Sequence, residues 1–226
     1  MEEIVRILTI AQVTHDVRAY RVTKPAGYSF EPGQATDVSI NKEGWKNEKR
    51  PFTFTGLAEW PHLEFTIKSY GDHHGVTDEL GRLREGDELI IGDAWGAIAY
   101  HGAGTFIAGG AGITPFLAIF RRLYKDNKIK GNQLFFSNKT AADIILHDEL
   151  TQMLGADAHF ILTQEGGKRE KAGGTGNLHI DRDFLRATIS DFSQPFYICG
   201  PDKMVSDLAS ALTALGAKPE SVVFEK

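Results

Sequence analysis

Cysteine is almost absent: the 226 residues contain one, Cys199. A single thiol excludes an intramolecular disulfide framework and a self-contained four-cysteine iron–sulfur site. Positive charge is not in excess either, with 25 Lys and Arg against 30 Asp and Glu and a formal net charge of -5. That balance argues against a nucleic-acid binder. No apolar run is long enough to cross a bilayer, so no membrane insertion is expected. The opening Met1-Glu-Glu-Ile-Val-Arg-Ile-Leu-Thr-Ile10 carries acids where a signal peptide needs bases, and its apolar residues alternate as in a strand. The expectation is a soluble, cytoplasmic protein.

Glycine, by contrast, is plentiful, with 24 residues. The stretch that organises the chain is Phe106-Ile-Ala-Gly-Gly-Ala-Gly-Ile-Thr-Pro115, running into Phe116-Leu-Ala-Ile-Phe-Arg-Arg-Leu-Tyr124. A strand reaches a glycine turn, and a helix follows from Thr114. Glycines let the backbone approach a ligand closely, and the helix aims its orphan N–H groups and positive end at an anion, usually a phosphate or pyrophosphate. The motif departs from G-x-G-x-x-G because Pro115 stands where the third glycine would be. The simpler alternative is a strand–turn–helix with glycines for packing and Pro115 in the first helical turn.

The first hundred residues alternate in short strands over Ile4–Val13, Val17–Val22, Ala35–Ile40, Leu63–Lys68 and Glu88–Ile91, with Gly/Pro punctuation. This pattern predicts a small antiparallel β-barrel domain over residues 1–100. A helix is predicted over Gly75–Leu83 alone, with Val76, Leu80 and Leu83 on one face. Three clusters stand out. Phe30-Glu-Pro-Gly-Gln34 is a tight turn. In Arg50-Pro-Phe-Thr-Phe-Thr55, an extended backbone puts Arg50, Phe52 and Phe54 on one face and Thr53 and Thr55 on the other. A guanidinium, a flat aromatic and a hydroxyl so close together suit a flavin dinucleotide, although on this segment alone an ordinary strand with core Phe residues and a surface Arg is the simpler explanation. In Lys68-Ser-Tyr-Gly-Asp-His-His-Gly-Val-Thr-Asp-Glu-Leu80, Gly75, Val76 and Thr77 open the helix as a second phosphate-compatible N-terminus, and Lys68 joins the candidate cofactor contacts. His73 and His74 lack Cys, Asp or Glu at ligand spacing, so no metal is expected.

From about residue 103, continuous apolar runs alternate with helical stretches, which predicts a parallel-sheet α/β nucleotide-binding domain over residues 101–226. Its strands fall at 104–108, Asn132–Phe136, His159–Thr163, Pro195–Gly200 and Ser221–Phe224. Helical stretches cover Ala141–Leu154, part of Ile180–Ile189 and Met204–Leu215. Ligands in such sheets sit at the carboxyl ends of the strands, here the glycine turn, Ser137–Thr140, Thr163 and Cys199-Gly-Pro201. The Gly166–Gly176 loop, with Lys168, Arg169 and Lys171, reads as surface.

In this order, with Gly86-Asp-Glu-Leu-Ile-Ile-Gly92 closing the barrel, the motifs resemble the ferredoxin–NADP(H) reductase superfamily over essentially the whole chain. The resemblance implies a flavin-dependent NAD(P)H oxidoreductase. Arg50 would bind flavin pyrophosphate, with Pro51 beside it, Phe52 would stack on the isoalloxazine in place of the commoner Tyr, and Thr53 would face N5. Gly75, Val76 and Thr77 would complete the flavin phosphate site. Gly110, Gly112, Ile113, Thr114 and Pro115 would hold the nicotinamide dinucleotide, with Ser137 and Lys139 toward its adenosine end. Cys199, with Gly200 and Pro201, would lie beside the nicotinamide as a positioning group. The ending Val223-Phe-Glu-Lys226 resembles relatives closing on aromatic-Glu-Lys, which brings Glu225 toward the reacting rings.

FAD is the expected cofactor, ahead of FMN. Phe136-Ser-Asn-Lys-Thr140 followed by Asp143-Ile-Ile-Leu146 resembles the NADH-using cytochrome reductase branch, while Ser137 and Lys139 keep NADPH open. The chain has neither the length nor the cysteines for a fused ferredoxin domain, so electrons are expected to leave to a separate ferredoxin or flavodoxin-like carrier. The basic run Lys42, Lys46, Lys49 and Arg50 is the candidate docking site for an acidic partner, or simply a solvated loop, since Glu43 and Glu48 interrupt it. The alternatives are a reductase of a small acceptor (free flavin, ferric chelate or quinone) and a non-catalytic electron-relay subunit.

Overall fold

The structure, a computed structural model, describes residues 2–70, 75–96, 98–164, 179–218 and 222–224. His73, His74, the basic residues of the Gly166–Gly176 loop and Glu225 lie outside the described residues. The chain forms two compact units, one comprising Met1–Ala99 and Thr114–Arg122, the other Tyr100–Ile113 and Leu123–Lys226.

The first unit is an antiparallel β-barrel. Its strands are β1 (Glu3–Thr14), β2 (Val17–Thr23), β3 (Ala35–Ile40), β4 (Arg50–Thr53), β5 (His62–Lys68) and β6 (Glu88–Ile91), in the order β4-β3-β6-β1-β2-β5. Just beyond β4, Phe54 bridges Phe65 and the Thr55 N–H donates to Glu64 O at 2.9 Å, so the two ends of the sheet meet. The alternating sequence supplies the filling: Val5 and Ile7, Tyr20 and Val22, and Leu63, Phe65 and Ile67 all point into one buried cluster. The Phe30 of the Phe30–Gln34 turn stacks on Phe54 at 4.1 Å, and the Gln34 carboxamide accepts from Glu31 N at 2.7 Å, so that turn builds the core and fixes its own shape.

The helix expected over Gly75–Leu83 is shorter. It is α1 (Val76–Leu80), which buries Val76 and Leu80 and is capped by Gly81. Glycine is a poor helix residue, and Leu83 reaches the core from the turn beyond. The helix after the glycine turn is α2 (Thr114–Lys125), and its Thr114–Arg122 portion belongs with the barrel.

The second unit holds β7 (Thr105–Gly109), β8 (Gln133–Asn138), β9 (Ala158–Leu162), β10 (Phe196–Cys199) and β11 (Val222–Phe224), in the order β11-β10-β7-β8-β9. Every pair is parallel. Phe106 to Ala108, Leu134 to Phe136 and Phe196 to Ile198 are buried, as expected of strands covered on both faces. Helices α3 (His147–Leu154), α4 (Arg182–Thr188) and α5 (Asp202–Ala214) complete the unit. The helical stretch expected over Ala141–Leu154 breaks in two. A 3₁₀ turn at Ala141–Asp143 ends at Ile144 in extended backbone, and Leu146 at φ 52° reverses the chain into α3. Ile144 and Ile145 are buried, so core packing overrides the helical pattern there.

Candidate functional site

The strand order of the second unit winds one way from β7 through β8 to β9 and the other way through β10 to β11. The switch point therefore lies between β7 and β10, and a ligand belongs at the carboxyl ends of those two strands. The glycines meet there. A Cβ at Gly112 would stand 2.3 Å from Cys199 O, and one at Gly200 would stand 3.1 Å from Gly109 N. The two strand ends thus approach backbone to backbone, at Gly112 closer than a side chain permits. Gly110 has the opposite surroundings. It adopts φ 53°, and a Cβ there would meet nothing within 4 Å, so the turn opens outward at this residue.

The chain then enters α2. Its first turn contains no acid, and Pro115 lies where a helix makes no use of an N–H. A 3₁₀ turn over Gly110–Ile113 runs directly into α2, and the first turn of α2 brings no acid of its own to that positive end. Cys199 is 8% exposed and forms no disulfide, and Pro201 caps α5. Ser137 pairs with Gly109 across β8 and β7, and Lys139 is exposed. Asn138 lies between them, inside the Ser137–Thr140 edge expected to face a ligand, although no separate role was expected of it. Asn138 is 6% exposed, and neither its Oδ1 nor its Nδ2 has a hydrogen-bond partner. Its one sequence signal was its place at a strand end.

In the barrel, Arg50 and Pro51 are exposed, and among the described residues the Arg50 guanidinium donates locally, to Lys49 O at 2.7 Å, with Glu48 at 4.0 Å. Phe52 is half-buried against the core and Thr53 is 9% exposed. The expected two-faced alternation stops at this point: Thr53, Phe54 and Thr55 are all buried, because the chain leaves β4 to meet β5. Phe54 is therefore a core ring, and Phe52 is the aromatic left partly open. Lys68 has a protein partner, Asp16 Oδ2 at 2.9 Å. Burial tends to raise the Asp16 pKa, but hydrogen bonds from Lys68 and Thr14 outweigh it and hold the carboxyl below its ordinary range.

The N-terminus of α1 is weaker than the sequence suggested. Its cap is Gly75 without any side-chain hydrogen bond, so Thr77 does not cap it, and Asp78 and Glu79 occupy the first turn. Those acids pair with Arg82, at 2.8 Å from Asp78, and Lys42, at 2.9 Å from Glu79. The backbone amides of Val76 and Thr77, at the start of α1, have no intrahelical acceptor. The basic run is also partnered: Lys42 with Glu79, Lys49 with Glu2 and Arg50 with Glu48.

An antiparallel barrel joined to a doubly wound sheet, with a glycine turn at the switch point, defines a two-domain dinucleotide-dependent oxidoreductase. Comparison with known proteins agrees. Residues 106–210 match the family described as the oxidoreductase NAD-binding domain. The chain is 31% identical over 235 residues to NADH-cytochrome b5 reductase 1 of Eremothecium gossypii, covering 95% of this chain and 80% of that protein. It is 25% identical over 235 residues to the reductase component of propane 2-monooxygenase from Rhodococcus jostii, covering 98% of this chain but 62% of that longer protein. A ferredoxin NADP+ reductase from Neisseria gonorrhoeae, solved with bound FAD and NADP, shares the fold with a TM-score of 0.81 at 19% identity, covering 99% and 98% of the two chains. The chain belongs to the ferredoxin–NADP(H) reductase superfamily, a family of flavin-dependent NAD(P)H oxidoreductases. Among the described residues, no helix is long and apolar enough to cross a membrane.

Proposed function

We propose that this chain binds FAD in the barrel, takes a hydride from NADH and passes the electrons to a separate carrier protein of the ferredoxin or flavodoxin kind. The observation that carries the reading is the glycine turn at the switch point, where Gly112 packs on Cys199 O and Gly110 opens to space. The residues present suit a dinucleotide: a pyrophosphate needs close backbone approach, which the glycines support, and a helix start whose own first turn carries no acid.

In this reading the amides of Gly110 to Thr114 bind the nucleotide phosphates, and Ser137 and Lys139 orient the adenosine end. Cys199, Gly200 and Pro201 wall the nicotinamide. Arg50, whose contacts among the described residues are local, swings onto the flavin pyrophosphate. Phe52 would stack on the ring system, and the nearly covered Thr53 hydroxyl would lie against it. Bound flavin supplies a two-electron hydride acceptor that can release electrons one at a time. The protein orients the reacting groups and keeps water out. Two relatives bear on the partner and nucleotide: one is named as the reductase component of propane 2-monooxygenase and the other as NADH-cytochrome b5 reductase 1. The test is anaerobic stopped-flow absorbance of flavin-loaded protein mixed separately with NADH and NADPH. Faster bleaching by NADH is the expected result, and a flavin band that neither nucleotide bleaches overturns the reading.

One observation favours a small acceptor instead. Lys42, Lys49 and Arg50 already face carboxylates, so the basic run presents less positive field to an acidic carrier than its sequence suggests. Steady-state turnover with a ferredoxin, a flavodoxin, ferric chelate and free flavin separates the two readings. A protein carrier should give the highest kcat/KM, and preference for ferric chelate or free flavin would replace it.

A further inference from the structure

Glu64 sits in the middle of β5, where the sequence shows only a polar residue between Leu63 and Phe65, yet its side chain is 4% exposed. A carboxylate in that position is costly unless it is paired. Its main partner comes from α2: Arg121 Nη1 lies 2.6 Å from Glu64 Oε1 and donates to Thr55 O at 2.7 Å. The guanidinium carbon also stands 5.3 Å from the centroid of the Trp60 ring. Around the carboxylate, Arg21 Nε approaches Oε2 at 3.1 Å and Thr55 Oγ1 donates to Oε1 at 3.2 Å. Burial pushes the Glu64 pKa up, but the Arg121 and Arg21 charges and hydrogen bonds outweigh it, and the carboxyl stays below its ordinary range.

This arrangement adds directional contacts to ordinary helix packing. Phe116, Leu117, Ile119 and Phe120 are buried along α2, so the apolar stripe chooses the face turned to the core, and the polar contacts restrain the helix's slide and rotation further. A guanidinium held by a carboxylate, a carbonyl and an aromatic face restrains both. Thr114 and Pro115, two of the candidate nucleotide residues, begin the same helix and belong to the same compact unit. Arg121 is about two turns, roughly 10 Å, along the helix from them.

We propose that Arg121 and Glu64 are positioning residues for nucleotide binding: their buried pair sets the height and rotation of α2 on the barrel and so places Thr114 and Pro115. The inference rests on the reading that the start of α2 receives the nucleotide phosphates. It adds two residues that touch neither cofactor.

The test uses flavin-loaded protein carrying Arg121→Met, Arg121→Lys, or Glu64→Gln together with Arg121→Met. Three quantities are measured: flavin affinity by fluorescence, NAD+ binding by calorimetry, and the NADH dependence of anaerobic flavin reduction. Arg121→Met should weaken NAD+ binding by about tenfold, since small misplacements of contact groups carry effects of that order. Flavin affinity should stay within about twofold, and Arg121→Lys, which keeps the charge but not the fork, should fall between. The double variant buries no lone Glu64 charge, so it should recover thermal stability but not NAD+ affinity. A folded, flavin-loaded double variant that binds NAD+ within about twofold of wild type would overturn the proposal and leave the pair a stabilising contact. Wild-type protein that binds flavin but neither binds NAD+ nor is reduced by NADH would instead overturn the functional reading on which the proposal rests.

Discussion

The two units build their candidate sites from different materials. In the α/β unit the site is made of backbone: two strand ends pressed together through Gly109, Gly112 and Gly200, with an open turn at Gly110. In the barrel the site is made of side chains on the short strand β4, where Arg50 is exposed, Phe52 half-buried and Thr53 nearly covered. At Gly112 the backbone site tolerates almost no substitution, because a Cβ there collides with the Cys199 main chain. A side-chain site tolerates substitution structurally and loses only the interaction. The two should therefore fail in different ways.

The largest effect is expected at Gly112→Val. Its Cβ would fall 2.3 Å from Cys199 O, so the β7–β10 junction must shift, costing about 3 kcal/mol or more by the standards of overpacked cores. Thermal melts should drop by roughly 6–12 °C, and nucleotide binding should be lost while the barrel still takes up flavin. A variant with unchanged melting and nucleotide affinity would break the backbone side of the comparison.

Glu64→Gln comes next, because removing one member of a buried pair typically costs about 3–5 kcal/mol. Its pH dependence sharpens the point. The folded pKa of Glu64 is lowered, so its stabilisation is fully present above the ordinary carboxylate value and is lost as pH falls through the lowered folded value. Denaturant melts from neutral pH to pH 3 should show wild type losing its advantage over Glu64→Gln as acid is added. Parallel curves would mean that Glu64 is not ionised in the folded protein.

Arg50→Ala should leave melting almost unchanged, since the side chain is exposed and locally bonded, but weaken flavin by about 10- to 100-fold, the range for a charge-assisted hydrogen bond. Fluorescence titration of the flavin-free protein measures this, and full flavin affinity in the variant would remove Arg50 from the site. The smallest effect is expected at Lys42→Glu, whose partner Glu79 already neutralises it. Turnover with an acidic carrier should change by no more than about twofold across ionic strength. A larger, salt-sensitive loss would restore the docking role of the basic run.

The same contrast governs what could be read in advance. Glycines are visible in a sequence, so the turn after Phe106-Ile-Ala108 stood out before any coordinates, and the parallel strands followed from their continuous apolar runs. The barrel strands were legible by alternation. Their limits were not: the alternation through Arg50–Thr55 ends when the chain crosses to β5, and the stretch Ala141–Leu154 breaks because Ile144 and Ile145 go into the core. Asn138 carried no signal beyond its position, since Asn at a strand end is usually a turn residue.

By itself the sequence determined the two folds, their order and the glycine turn, because periodicity and backbone freedom are local properties of the chain. The tertiary structure alone decided which charges meet. Lys68 went to Asp16, Lys42 to Glu79, and Arg121 to Glu64, 57 residues away in sequence. Such pairing depends on where separate elements come to rest, and a Coulomb attraction of a few ångströms leaves no periodic trace along the chain.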